Sequence, residues 1–434
     1  MTPQSSFMVT VPVIAAQRDA LNDVLASMND APGRVKKNNS IIPFHRFSRL
    51  HTARFVMLDN NTGDDIRAYG EEPHNWAPSL AFLGEVDGCS TDFLAELAVV
   101  SSEGLKLIYA HCHGFADHKG PLLEFLIKHT TPSAASYVNW IGRTVQQVQE
   151  EAQLQRFLAQ KLQSIRLIDP NRPLRAIRQQ LLNELHLEQH AGRLTLSDEQ
   201  RTPVRVHLRR LVDLVLVPIV LLAALPVLLF TIPLTFLYLR IIEARDPDID
   251  IRPSPKHVKE LSSIEDFHVS NQFNVFGDVK PGLFRYVLLK TVMAAVNYSA
   301  RLVYPRGFLT RVRTIHFARW VFLNGGKSMY FASMYDGSLE SYMDDFINKT
   351  AFGLNLTFSH GVGYPRTSWM LKGGAEHEQQ FKDTLRRHQL PSIVWYSAYP
   401  GLTAFDLARH ARIRQGINKY PKTDDAIRLW LQEI

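Results

Sequence analysis

The stretch LHTARFVML at Leu50–Leu58 returns as IHFARWVFL at Ile315–Leu323. The histidine, alanine, arginine, valine and final leucine are identical, and the other residues are close in size and polarity. Two further blocks recur in the same order, with residues 82–114 matching 331–363 and residues 129–137 matching 388–396. Self-similarity over ordered blocks is the sequence signature of a repeated structural unit. The chain is therefore predicted to contain two copies of one domain.

Each copy has the pattern strand, helix, strand, strand, helix, strand. Apolar alternation predicts strands at 8–14, 52–58, 80–86 and 105–111, and again at 267–276, 315–323, 329–335 and 354–360. Helical spacing predicts the intervening helices at 17–28, 91–100, 283–303 and 339–348. A further helix, at 121–129 or 376–388, and an extended Pro-Ser segment close each copy. The expected fold class is α+β, with two ferredoxin-like units pairing their sheets into one pseudo-twofold barrel.

A long uncharged segment separates the two copies. Residues 214–239, LVLVPIVLLAALPVLLFTIPLTFLYL, exceed the roughly 20 apolar residues that cross a bilayer. Three prolines interrupt the segment, and proline bends a helix. A single crossing would place the copies on opposite sides of the membrane, where they could not share a barrel. We therefore predict a helical hairpin inserted into one leaflet. A hairpin buried in a soluble oligomer and a single span with an intermolecular barrel are the alternatives.

Arginines flank the apolar segment on both sides, which favours both ends on the cytoplasmic face of the membrane. The predicted domains are the first repeat at 1–150, a basic helical linker at 151–210, the inserted hairpin at 211–242, a linker at 243–265 and the second repeat at 266–434. The basic helices could lie near anionic headgroups or form a solvated linker. The start of the chain has no basic segment and reads as a strand rather than a signal peptide.

Composition excludes several classes of protein. With 434 residues, 45% of them hydrophobic and 21% charged, the chain is not disordered and can build sizeable cores. Cys89 and Cys112 are too few for a disulfide scaffold and fit a reducing compartment. The formal charge of +7 is dispersed, so no nucleic-acid partner is expected. Phosphate-binding, dinucleotide-binding and nucleophile-elbow motifs are missing from the sequence.

The repeated strand carries charges that need partners. Arg54 and Arg319 lie in largely apolar strands, and a buried guanidinium is costly unless it is paired. Asp87 and Asp336 end the neighbouring strands and are the expected partners. Alternation places the preceding histidine, His316 in the second copy, on the opposite strand face. These groups are either symmetric ion pairs that hold the fold or part of a functional site.

Two more histidines, His111 and His360, are predicted to end the fourth strands and are followed by glycines. A histidine in that position can point into a cavity and bind a metal or haem iron, or act as an acid–base group. A hydrogen-bonded structural histidine is the alternative. Zinc is not favoured at residues 111–113, because no further cysteine or carboxylate ligands are nearby.

Two ferredoxin-like units in one chain resemble the dimeric α+β barrel superfamily, which includes dye-decolorizing peroxidases and chlorite dismutase. The sequence GEVDG at 84–88 also resembles the Gly-x-x-Asp-Gly motif of the peroxidase branch, whereas the second copy reads SMYDG at 333–337. The resemblance implies that Asp87 is a distal acid, that Arg54 or Arg319 assists peroxide cleavage, and that His360 or His316 binds haem iron. His111 is the counterpart of His360 in the first copy.

The sequence thus predicts a membrane-associated, haem-dependent peroxidase-like oxidoreductase. Its expected partners are the lipid bilayer and a hydrophobic or lipid-derived substrate that enters from it, and a homo-oligomer is compatible with the pattern. The alternative is a non-catalytic, membrane-attached barrel that binds lipid, with the His, Arg and Asp groups serving structure. A cofactor-free or metal-dependent monooxygenase lies between the two.

Overall fold

A computed structural model describes residues 3–36, 38–59, 62–198, 202–303, 312–419 and 423–434, and the fold they form is mixed α+β. Its strands are β1 Gln4–Pro12, β2 Asn29–Ala31, β3 Gly33–Val35, β4 Leu50–Leu58, β5 Ser79–Asp87, β6 Ala135–Val138, β7 Ser270–Asp278, β8 Ile315–Leu323, β9 Ser328–Asp336, β10 Thr367–Ser368, β11 Lys372–Gly373 and β12 Ser392–Ser397. The α+β class predicted from the sequence is confirmed.

In the described part of the chain, seven α-helices precede the apolar segment. They are α1 Arg18–Ser27, α2 Gly63–Ala68, α3 Ser90–Val100, α4 Ser102–Tyr109, α5 Leu122–Lys128, α6 Val145–Ile168 and α7 Leu174–His190. The helices that follow are α8 Val204–Ala223, α9 Leu225–Glu243, α10 Pro255–Ser262, α11 Leu283–Leu302, α12 Leu339–Phe358, α13 Glu378–His388, α14 Ala404–Asn418 and α15 Asp424–Glu433.

The two main sheets exchange one strand each. The first sheet has the order β1-β5-β4-β12-β3-β2, and the second has the order β6-β8-β9-β7. Strand β6 follows the first three long strands in the chain but pairs with β8 of the other sheet. Strand β12 follows β7, β8 and β9 but pairs with β4. Residues 3–138 (the first half) and 270–397 (the second half) therefore each complete the other's sheet.

The two sheets are not joined into one closed barrel, so the predicted closed barrel is wrong. At one corner Val9 forms only an isolated bridge with Thr130, and at the other Val275 forms one with Gln389. Pro132 and Pro391 follow these bridges in the two exchanged segments. Proline has no N–H to donate to a strand ladder, which gives a physical reason for the ladders stopping at the corners.

The sheets pack face to face with helices on their outer faces. The space between them is filled by apolar side chains of both halves, including Met8, Val56 and Tyr330. Helices α1, α3, α4 and α5 cover the first sheet, and α11, α12 and α13 cover the second. A separate helical core joins α6 and α7 to α14 and α15. The basic residues predicted for a linker thus belong partly to a packed layer, in which Arg178 is buried and donates to carbonyls of α14.

Two predicted strands are helices instead. Residues 105–109 belong to α4, and residues 354–358 belong to α12. In α4 the buried side chains are Leu105, Ile108 and Tyr109, which is the three-and-four spacing of a helix rather than the alternation of a strand. The Pro-Ser-led segments predicted to close the two copies form strands β6 and β12.

The uncharged segment forms α8 and α9, which meet at Ala224. No residue of α8 is buried, and in α9 only Leu239 and Glu243 are buried. Among the described residues, α9 is the one helix long and apolar enough to cross a membrane. The two ends of the segment contact opposite ends of the same helix: Asp213 of α8 pairs with Arg301 near the end of α11, and Tyr238 of α9 packs on Phe284 at its start.

Candidate functional site

Each predicted aspartate joins a histidine to the start of a helix. Asp87 Oδ1 lies 2.9 Å from His51 Nε2, and Asp87 Oδ2 accepts the backbone N–H of Val145, the first residue of α6, at 2.8 Å. Asp336 repeats this with His316 Nε2 at 2.6 Å and the N–H of Ala404, the first residue of α14, at 2.6 Å. A carboxylate at a helix N-terminus is stabilised by the helix dipole and by the unsatisfied N–H groups there.

The histidines reach the aspartates because both strands carry a bulge. The pairing register shifts between Leu50 and Thr52 in β4, and between Ile315 and Phe317 in β8. A bulge adds one unpaired residue and redirects its side chain. His51 and His316 are those extra residues. The predicted Arg54–Asp87 and Arg319–Asp336 ion pairs are therefore wrong, because each aspartate is hydrogen-bonded to a histidine instead.

Both arginines instead cross the space between the sheets. Arg54 donates to the carbonyls of Phe273 and Ser333 at 3.3 and 3.1 Å, and to Asn274 Oδ1 at 3.0 Å. Its guanidinium also lies 4.7 Å from the ring centroid of Trp395. All of these partners belong to the second half, and none carries a formal charge. Burial lowers the pKa of Arg54.

Arg319 makes the reciprocal crossing into the first half. It donates to the carbonyls of Phe7 and Gly84, the positions that match Phe273 and Ser333, and it forms an ion pair with Glu85. Burial raises the pKa of Glu85, but the charges of Arg319 and Arg54 outweigh it and lower the pKa overall. Two arginines thus share one carboxylate in the space between the sheets.

A small cavity lies where the two histidines approach each other. It has a volume of about 20 Å³ and is lined by His51, His316, Tyr399 and Trp140, among others. Tyr399 Oη lies 2.8 Å from His51 Nδ1, and the tyrosine is 5% exposed. About 10–15 Å³ is needed to hold a single water. The cavity has room for a water molecule but not for an organic substrate.

The remaining predicted ligands, His360 and His111, lie in the turns after α12 and α4. His360 is fully buried, and neither ring nitrogen has a hydrogen-bond partner within the described part of the chain. Burial, followed by the charges of Arg285 and Lys280, lowers the pKa of His360 to about 3. The His111 ring is half-buried, and its backbone carbonyl accepts the N–H of Ile14 at 3.0 Å.

The residues present do not fit haem at His360 or His316. An axial ligand must present a nitrogen to open space that holds the macrocycle, but His360 has no accessible surface and His316 Nε2 is bonded to Asp336. Asp87 and Arg54 are also not brought together, because the arginine is bonded to the opposite sheet. Over the described ranges, no group of three His, Cys, Asp or Glu residues is arranged to hold a metal ion.

A cavity that can hold an organic molecule lies elsewhere, on the outer face of the second sheet. It has a volume of about 320 Å³ and is enclosed by α11, α12 and α13 over β7, β8 and β9. Its lining is almost entirely apolar and includes Val296, Phe331 and Phe358. The indole Nε1 of Trp320, another lining residue, is buried without a hydrogen-bond partner among the described residues. Small-molecule sites usually span about 300–1,000 Å³.

The backbone of α12 helps to form this cavity. Thr350 has non-helical dihedral angles, φ −146° and ψ 25°, and interrupts the helix beside Phe352, which is exposed and lines the cavity. A Cβ built on Gly353 would meet nothing within 4 Å. The matching Gly104 in the first half has no such space, because a Cβ there would lie 1.8 Å from the Ile41 carbonyl oxygen.

Sequence reasoning missed three of these residues. Glu85 could have been predicted, because strand alternation places its side chain on the same face as Leu83, which faces the other sheet. Trp320 and Gly353 gave no signal, since their surroundings come from helices far away in the sequence. Comparison with known proteins adds no family, because no protein-family model, curated protein or solved structure matches the chain.

Proposed function

We propose that this protein associates with one face of a membrane and binds a hydrophobic, lipid-derived molecule in the apolar cavity of its second half. The observation that carries the proposal is that the cavity lies between α11 and α12, and that α11 also contacts the exposed apolar helices. Ser299 and Ala300 of α11 line the cavity, and the next residue, Arg301, forms an ion pair with Asp213 of α8 at 2.7 Å.

The surface of α8 and α9 supports membrane attachment. Large exposed apolar patches on soluble proteins mark sites of interaction with membranes or partners. Here almost every large apolar side chain of two successive helices is exposed, with Phe230 at 73% and Leu222 at 70%. A helix buried in a soluble body would cover such side chains.

Contacts at the two ends of the segment hold it along α11. Asp213 contacts Arg301 near the end of α11, and Tyr238 contacts Phe284 near its start. The helix between these positions spans about 26 Å, close to the roughly 30 Å of a hydrocarbon core, so monotopic insertion and a single crossing both fit these contacts. The orientation proposed is monotopic, with the body at the cytoplasmic face.

The two halves are proposed to be copies of one unit arranged about a pseudo-twofold axis. The reciprocal exchange of β6 and β12 supports this, as do the two bulged histidines and the two crossing arginines. We propose that this duplicated body serves as a rigid support that fixes α11 and α12 relative to the membrane. Haem-dependent peroxidase activity stays a prediction that none of these contacts favours.

The proposal is tested by placing a larger side chain at a residue that lines the cavity. Gly353→Leu places a side chain in open space within a helix, where leucine is also more favourable than glycine. We expect it to weaken the binding of a fluorescent fatty acid, 11-(dansylamino)undecanoic acid, at least tenfold in full-length protein.

The matched control is Gly401→Leu, because Gly401 is exposed, does not line the cavity and also has nothing within 4 Å of a built Cβ. Its dissociation constant should stay within twofold of the unmodified protein. Equal affinities for the two variants, or no binding by the unmodified protein, would overturn the cavity as the ligand site.

A further inference from the structure

A second cavity lies where the apolar helices meet the body of the protein. Its volume is about 460 Å³, and it is bounded by the end of α9, the following residues 245–247 and the start of α11. Tyr238 and Ile242 form its apolar side. Its charged lining consists of Arg245, Arg285 and Asp246.

Positive charge exceeds negative charge around this cavity only when the exposed Arg245 is included. Asp246 Oδ2 accepts from both Lys280 Nζ at 2.8 Å and Arg285 Nη2 at 2.6 Å. Its other oxygen accepts from Tyr69 Oη at 3.0 Å. The buried Glu243 is a second carboxylate, and its charge acts on Lys280. Arg285 Nη1 is buried without a hydrogen-bond partner among the described residues. This unpartnered Nη1 group is a donor that an anionic acceptor would satisfy.

The start of α11 adds donors to the same cavity. Gly282 precedes the helix and provides no side-chain cap, and the first turn contains no acidic residue. Residues 281–285 all line the cavity. The first N–H groups of a helix have no partner within the helix, and with the helix dipole they attract anions. Arg245 is exposed and lies at the edge of this group of donors.

Accepting the membrane attachment proposed above, we infer that this cavity binds the phosphate of an anionic lipid headgroup, using the α11 N-terminus, Arg285 and Arg245. The apolar side formed by Tyr238 and Ile242 continues into α9, so acyl chains of the same lipid would lie along exposed apolar helix. A dissolved phosphate would make the polar contacts alone.

The experiment measures sedimentation of the full chain with vesicles of phosphatidylcholine, and of phosphatidylcholine containing one fifth phosphatidic acid. The unmodified protein should bind the acidic vesicles at least tenfold more tightly. Arg245→Gln and Leu283→Asp should reduce that preference at least fivefold. Leu283 is the first residue of α11 and is exposed, so an aspartate there suits the helix while repelling the phosphate.

Each variant has a matched control. Arg46→Gln removes the same charge from an exposed arginine before β4, and Leu283→Asn is polar but neutral. Both controls should change the preference by less than twofold. A fall as large in the controls as in the variants would show that overall charge, not this cavity, attracts the acidic vesicles, and would overturn the inference.

A second experiment, with ligands that do not form vesicles, tests this inference independently of the membrane proposal. Calorimetry measures binding of monomeric dihexanoyl phosphatidic acid and of inorganic phosphate. The short-chain lipid should bind at least tenfold more tightly than phosphate and lose that affinity in Leu283→Asp, even if no vesicle binds. No binding of either probe overturns the site. Equal binding of both overturns the lipid headgroup and leaves dissolved phosphate as the ligand.

Discussion

At the residue scale, Arg54 and Arg319 occupy matching positions in the recurring strand but have unequal surroundings. Arg319 is paired with Glu85, whereas Arg54 is bonded to carbonyls and an amide. The matching position of Glu85 in the second half is Met334, and that of Asn274 in the first half is Met8. Glu85 therefore balances charge for both arginines from one side.

Removing that carboxylate should be costly. Glu85→Gln leaves two buried guanidinium groups without a counter-ion, so we expect the free energy of unfolding at pH 7 to fall by about 3–5 kcal/mol. Urea denaturation measures it. Glu103→Gln, in an exposed pair with Lys106, should change it by less than about 1 kcal/mol.

The pH dependence provides a second check on Glu85. Because its pKa is lowered in the folded protein, its contribution is present above the ordinary carboxyl value of 4.5 and is lost as the pH falls through the lower folded value. The gap between the unmodified protein and Glu85→Gln should therefore narrow below pH 4.5. A gap that is constant with pH would contradict an ionised Glu85.

The pH dependence of stability distinguishes a buried structural role for His360 from a role as a haem ligand. Its folded pKa of about 3 lies below the ordinary 6.5, so the unfolded chain takes up a proton first as the pH falls, and stability declines from pH 6.5 downward. His360→Leu removes this loss and two unpaired buried nitrogens. Relative to the unmodified protein, the variant should gain about 1–2 kcal/mol between pH 7 and pH 5 by urea denaturation.

The control for His360 is His113→Leu, at an exposed histidine, which should show no such gain. Loss of a haem absorbance band in His360→Leu would contradict the structural role.

At the element scale, α8 and α9 are the helices whose apolar side chains are not covered by the rest of the described chain. Their apolar side chains are exposed, and charged or polar contacts to the body are made near the ends of the segment, by Asp213 to Arg301 and by Glu243 to Thr367. Glu243 also accepts the N–H groups of Trp369 and Met370 at 2.6 and 2.9 Å. The ends are thus fixed to the body while the centre of the segment is exposed, as the proposed insertion into a leaflet requires.

Both ends of this segment should be accessible from the cytoplasmic side. Starting from Cys89→Ser, which removes the exposed native thiol and leaves Cys112 buried, single cysteines replace Arg205, Ala244 or Leu229. In sealed inside-out vesicles an impermeant maleimide should label positions 205 and 244 but not 229, which lies in α9 within the predicted apolar insert. Labelling of only one end before detergent is added would show a single crossing instead.

At the scale of the whole molecule, the exchanged strands make the two halves interdependent. Strand β6 completes the second sheet and β12 joins the first, and each crossing arginine bonds to carbonyls of the opposite half. Neither half alone would satisfy those backbone and guanidinium groups. The molecule should therefore unfold as one cooperative unit.

A split chain tests that dependence. Fragments 1–200 and 201–434, expressed together and purified in one detergent, should associate, while each alone should lack a cooperative unfolding transition by circular dichroism. Val394→Pro in β12 removes an N–H and introduces a ring in a strand paired on both sides, so it should weaken association at least tenfold. Cooperative unfolding of either fragment alone would contradict the dependence.

The sequence by itself determined the α+β class and most of the elements. The bounds predicted for β8 are those observed, and the predicted helices at 17–28, 91–100 and 283–303 match α1, α3 and α11 to within two residues at each end. These features depend on local periodicity, which a single chain displays directly. The uncharged segment was equally readable, because 26 successive residues without a charge are counted directly in the sequence.

Only the tertiary structure decided how the parts meet. Alternation in β8 predicted the face of His316 wrongly, because a bulge is a property of two paired strands. It also could not show that Arg54 and Arg319 cross to the opposite half, since those partners lie more than 200 residues away along the chain. The cavity beside Gly353 likewise exists only where three helices and a sheet are packed together. Local pattern fixes elements, whereas charge partners and cavities depend on contacts between distant segments.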